Sequence, residues 1–223
     1  MVSVMALATT LAVVLAGSVL LATIYDELVD WVGFDRRYRI DTGIIGRIRG
    51  SVAGGIVHRG YMPTPVRTLR SLLSALPIDP ADYTLVDLGS GKGRVLIVGA
   101  ESGFRHCIGV EHVPALCETS VGNLSDWRLA TGATTPIDVV GIDAATYEFP
   151  QTPLVVFLYN PFSRAVMAQV ARNLSRSHAA CPRRIIVVAV HPRYRSVFAA
   201  LDFLQPLDLP AASVDFFTAF DTV

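Results

Sequence analysis

The chain has 223 residues, enough to bury one α/β core with a modest extension, and 52% of them are hydrophobic. Acids and bases balance at 19 each, so the surplus of positive charge that captures a phosphate backbone is missing, which argues against nucleic acid as a partner. The three cysteines, Cys107, Cys117 and Cys181, are odd in number and lack C-x-x-C spacing; they read as reduced packing thiols of a cytosolic domain rather than a disulfide framework.

The first element is apolar. Met1 to Tyr25 contains no charged residue. As a helix rising about 1.5 Å per residue it covers roughly 37 Å, enough to cross a hydrocarbon core of about 30 Å. A cleaved signal peptide is the rival reading, but no basic stretch precedes the apolar run, and the run exceeds the usual length of a signal core. The expectation is a retained single-pass membrane helix over residues 1–25, with Tyr25 and Trp31 at the membrane interface. Arg36, Arg37, Arg39, Arg47 and Arg49 follow it, and basic flanks stay cytoplasmic, so the rest of the chain is expected to face the cytoplasm. Residues 26–60 form a connector with six glycines between Gly43 and Gly60, and its "GIIGRIRG" is both apolar and basic. It reads as a flexible linker, or else as a segment lying on an anionic leaflet or covering the active site.

Residues 61–223 alternate strands and helices. Val66 to Leu76 is apolar at helical spacing and is stopped by Pro77 to Pro80. Leu85 to Leu88 reads as a buried strand, and Gly93 to Ser102 as a helix. Cys107 to Glu111 is a second strand, and Pro114 suits the first turn of the next helix. Ile137 to Asp143 and Pro153 to Asn160 are the third and fourth strands, Ser163 to Leu174 a helix, and Arg184 to Val190 the fifth strand. "FLQPLDL" and "SVDFFTAFDTV" add two strands with no helix between them. The pattern predicts a doubly wound, mostly parallel, seven-stranded α/β sheet with an antiparallel edge.

In such sheets ligands sit beyond the carboxyl ends of the strands. The first predicted strand ends at Asp87 and runs into Gly89-Ser90-Gly91-Lys92-Gly93; the second ends at Glu111, the third at Asp143 and the fourth at Tyr159-Asn160-Pro161-Phe162. A Walker loop is excluded, because Gly93 follows Lys92 where Ser or Thr is required. A dinucleotide fingerprint is off by one, with Arg94 in place of its third glycine. Asp87 is more informative, because a carboxylate just before the glycines repels a pyrophosphate but suits a ligand carrying an ammonium. Glu111, some twenty residues on, suits the hydroxyls of a ribose. A ligand with a ribose, a positive charge and no phosphate fits S-adenosylmethionine (SAM). Lys92, the only lysine in the chain, and Arg94 read as surface residues or as supports behind the site.

On these residues the chain resembles class I SAM-dependent methyltransferases, which have a Rossmann-like fold, from about Tyr61 onward. "VDLGSGKGR" is similar to their motif I, "IGVEH" to their acidic ribose motif, and "GIDAATYEFP" to their adenine-binding segment. The resemblance implies that Asp87 receives the methionine ammonium and that Gly89 and Gly91 line the methionine moiety. It likewise implies that Glu111 binds the ribose hydroxyls, while Asp143 and the Ala144 N–H bind adenine. "YMPTP" together with "DLGSGKGR" is similar to the Dot1-like group and its membrane-anchored lysine methyltransferase relatives. There the turn carrying Tyr61, Pro63 and Thr64 would close over SAM.

The acceptor side rests on "LYNPF", which is similar to the Asn-Pro-Pro-aromatic motif of amino and amide N-methyltransferases but has one proline fewer. Asn160 is the candidate for orienting an acceptor nitrogen through its side-chain carbonyl, with Phe162 packing against the acceptor. His191 and His112 are further candidates for the acceptor pocket and the adenosine edge. No metal is expected, since no His/Cys/Asp set has ligand spacing. The acceptor itself, a small molecule, a lipid or a lysine of a membrane protein, is open. A non-catalytic SAM-binding module and a nicotinamide oxidoreductase are the competing readings.

Overall fold

A computed structural model describes residues 32–43, 63–159, 162–190, 196–209 and 217–222. Strands β1 (Thr84–Leu88), β2 (His106–Val110), β3 (Ile137–Val140), β4 (Leu154–Tyr159), β5 (Ile185–Val190), β6 (Leu204–Leu207) and β7 (Phe217–Thr222) form one sheet in the order β3-β2-β1-β4-β5-β7-β6. The first five run parallel, and β7 pairs antiparallel with both β5 and β6. This is the predicted seven-stranded Rossmann-like α/β architecture.

The central strands are apolar at almost every position because each is covered on both faces. Successive residues of β4 and β5 serve opposite layers: Val155, Phe157, Ile186 and Val188 face one core, and Leu154, Val156, Ile185 and Val187 the other. The first layer holds α1 (32–38), α2 (Val66–Ser74) and α3 (Arg94–Glu101), joined by Leu124 and Trp127 of α4 (Pro114–Thr131). The second holds α5 (Arg164–Ala180), Phe198 of α6 (Ser196–Ala199) and the 3-10 turn Ala144–Thr146.

Two boundaries differ from expectation for local reasons. Strand β3 stops at Val140 instead of Asp143, because the Ile142 N–H turns back onto the Val140 carbonyl (3.1 Å) right after Gly141. Helix α5 runs past Leu174 to Ala180, since no helix breaker occurs before Pro182. A third difference concerns the connector. Its stretch 32–43 is no linker: Phe34, Tyr38, Ile40 and Thr42 are buried, the first three within the first core. Arg39, in the left-handed region at φ 57°, ends α1, and the Ile40 N–H returns to the Asp35 carbonyl (3.0 Å). The apolar stretch 1–25 lies outside the described residues, among which no helix is long and apolar enough to cross a membrane.

Candidate functional site

Strand β1 pairs with β2 on one side and β4 on the other, so the strand order reverses at β1, where sheets of this kind leave a crevice. Asp87 lies there, in register with Gly109 of β2 and Phe157 of β4. The turn that follows places Gly89, Gly91 and Gly93 at φ 82°, 53° and 85°, left-handed angles that glycine tolerates and other residues resist. The Gly89 and Ser90 N–H groups donate to the Val110 carbonyl (2.8 and 3.1 Å), the Gly91 N–H to Glu111 Oε2 (2.9 Å), and the Gly93 N–H to the Ser90 carbonyl (2.9 Å). Gly109 permits this approach: a Cβ there would lie 2.6 Å from Ser90 Oγ and 2.7 Å from Leu96 Cδ1.

Asp87 is 3% exposed. Burial first, and the Glu111 charge second, hold its carboxyl well above the usual carboxylate range. Glu111, 6% exposed, accepts the Gly91 N–H on Oε2 and the Val113 N–H on Oε1, both at 2.9 Å. Each oxygen keeps a second lone pair for a ligand hydroxyl. His112 is exposed, with Nδ1 3.5 Å from Glu111 Oε1. Asp143 is exposed and caps the 3-10 turn, its Oδ1 accepting the Ala145 N–H (2.8 Å), while Ala144 is buried behind it. Asp143 therefore has a structural task in addition to the adenine contact that the resemblance implies.

Lys92 and Arg94 are not surface residues; they are 1% and 3% exposed. Lys92 Nζ donates to Asp41 Oδ1 (3.0 Å) and to the Gly43 carbonyl (2.8 Å). The Arg94 guanidinium donates to Thr42 Oγ1 (2.9 Å), the Thr42 carbonyl (2.9 Å) and the Thr64 carbonyl (3.1 Å). A buried cation without acceptors costs too much to persist, and here the connector supplies all of those named but the Thr64 carbonyl. Thr64 is thus buried beside the glycine turn, held through its backbone. The supports Asp35, Asp41, Thr42 and Asn123 were missed in the sequence; the one available signal was a solitary lysine within the glycine turn of an arginine-rich chain.

Of the acceptor-side residues, Phe162 is half-buried against the second core. Tyr61, Asn160 and His191 lie outside the described residues. No group of His, Cys, Asp and Glu among the described residues is arranged to hold a metal.

No family model and no curated protein matches the chain. Solved structures do. A SAM-dependent O-methyltransferase from Thermotoga maritima superposes with a TM-score of 0.52 at 12% identity, over 73% of this chain and 66% of that one. Geranyl diphosphate C-methyltransferase from Streptomyces coelicolor A3(2) gives 0.50 at 16% identity, over 71% and 76%. An RNA methyltransferase from Salinibacter ruber gives 0.49 at 22% identity, over 72% and 92%. The chain has the Rossmann-like α/β fold of SAM-dependent methyltransferases.

Proposed function

We propose that this protein is a SAM-dependent methyltransferase, anchored to a membrane through residues 1–25 with its catalytic domain facing the cytoplasm. The observation that carries the cofactor reading is Asp87, a buried carboxylate beside a second acid at the sheet's switch point, without a counter-cation among the described residues. A phosphate would add a third negative charge there; an ammonium supplies the missing positive one. The close-packed glycine turn leaves backbone at the ligand's edge, which suits a thioether chain of small cross-section.

In this reading Asp87 holds the ammonium and Gly89 and Gly91 flank the methionine chain. Glu111 takes the ribose hydroxyls, Asp143 and Ala144 the adenine, and Tyr61 and Thr64 cover the site. The cofactor supplies an electrophilic methyl group whose leaving thioether needs no proton. What remains for the protein is to align a nucleophile and exclude water. Asn160 orients an acceptor nitrogen through its carbonyl oxygen, and Phe162 packs against the acceptor. An anchor raises the local concentration of membrane targets, so a lysine of a membrane-associated protein is the favoured acceptor. A lipid or a small apolar metabolite is the runner-up.

Two experiments test this. Calorimetry on the full chain in detergent should show SAM binding and no NAD binding; NAD binding alone would overturn the cofactor. Methyl-labelled SAM incubated with membrane and soluble lysate fractions should place label in membrane protein. Label in lipid or metabolite changes the acceptor, and SAM binding with no transfer to any fraction points to a non-catalytic module. A mature protein that is soluble and lacks residues 1–25 would remove the anchor.

A further inference from the structure

The glycine turn poses a problem of order. Three of its five residues are left-handed glycines, which lose more conformational freedom on folding than any other residue. Toward the strands it is held by the Val110 carbonyl and Glu111. Further restraints run through Lys92 and Arg94 to a segment roughly fifty residues earlier in the chain.

We propose that Lys92 and Arg94 are positioning residues for the cofactor, clamping residues 35–43 as a strap onto the glycine turn so that the turn keeps its binding shape. This rests on the SAM reading above. The contacts form a network. The Asp35 carboxylate accepts both the N–H and the hydroxyl of Thr42, and lies 4.0 Å from Arg94 Nη2. Asn123 of α4 accepts the Asp41 N–H (2.9 Å) and donates to the carbonyls of Asp41 (2.8 Å) and Lys92 (2.9 Å), tying strap and turn to one side chain. Two buried cations therefore meet two carboxylates on the strap, and each loses a counter-charge if the strap leaves. Strap and turn must order together. The order is passed on because Lys92 adjoins Gly91, whose N–H holds Glu111, the residue assigned to the ribose. By linkage, a ligand that needs the ordered turn protects the strap, and a loosened strap weakens the ligand by the same factor.

Lys92 is the only lysine in the chain, so an amine-acylating reagent reports on it alone once the N-terminal amine is set aside by peptide mass spectrometry. Cys107, buried on β2, reports global unfolding through thiol alkylation in the same sample. With the full chain in detergent, Lys92 should label slowly while Cys107 stays unreacted, and SAM at about ten times its Kd should slow Lys92 labelling about tenfold. Asp41→Asn should label faster and bind SAM about tenfold more weakly. Lys92→Arg, which keeps the charge, should retain affinity to within about threefold, whereas Lys92→Met should not. The protection measurement needs no variant, so it decides even where a variant does not fold. If the wild type binds no SAM, the cofactor reading falls and the clamp's purpose with it. If the wild type binds SAM, a Lys92 labelling rate unchanged by SAM, or an Asp41→Asn affinity equal to wild type, overturns the clamp alone.

Discussion

Asp87 near the end of β1 and Lys92 and Arg94 toward the strap are all buried within a few residues of the same glycine turn, yet the protein treats the acid and the two bases in opposite ways. Lys92 and Arg94 are met by carboxylates, carbonyls and a hydroxyl. Asp87 is met by another acid, and its carboxyl is pushed up by burial and by that neighbour. A compensated buried charge is architecture, because removing it orphans its partners. An uncompensated one is costly until something else arrives, which marks it as a ligand contact.

The largest effect should come from the compensated side. Arg94→Leu leaves two carbonyls and the Thr42 hydroxyl without their donor, and chemical denaturation should register a loss of about 3 kcal/mol or more. Next is Asp87→Asn. It should weaken SAM by about 2 kcal/mol, roughly thirtyfold, and adenosine by much less, because an ion pair with the ammonium is lost. Apo stability should hold or rise, since a buried carboxyl that is costly to ionise is replaced by a neutral amide. A stability loss as large as that of Arg94→Leu would erase the distinction between the two sides.

A smaller effect is expected from pH. The folded state holds the Asp87 proton more tightly than the unfolded chain does, so apo stability should fall as pH rises above the ordinary carboxylate range toward the raised value. SAM needs the ionised carboxylate, so its affinity should rise across that window by at most about 1.4 kcal/mol per pH unit, with proton release visible in calorimetry. Asp87→Asn should flatten both trends; a slope that survives belongs to another group. The smallest effect is the control. His106 Nε2 and Asp138 Oδ2 meet at 2.8 Å on the surface, and Asp138→Asn should cost about 0–1 kcal/mol with SAM binding unchanged.

The rim was readable in the sequence because its signals are local. Asp87 precedes the glycines by two positions, Glu111 closes the next apolar run, and alternation of strands with helices puts both on one edge. Where local signals conflicted, the boundary slipped: Ile137 to Asp143 looks like one strand, but the turn at Gly141 ends it early and leaves Asp143 as a cap. The strap was not readable. Its Gly- and Arg-rich surroundings resemble a linker, and its acids lack any periodicity that would announce burial.

By itself the sequence determined the doubly wound sheet, the glycine turn and the acids at the strand ends, because period, glycine placement and charge act over a handful of residues. Only the tertiary structure decided which buried charges are paired. The partners of Lys92 and Arg94 lie about fifty positions upstream, and no short-range rule joins Asp41 to Lys92 across that distance. That pairing follows from the cost of a bare charge in a dry interior, and the cost exists only once the chain has closed around it.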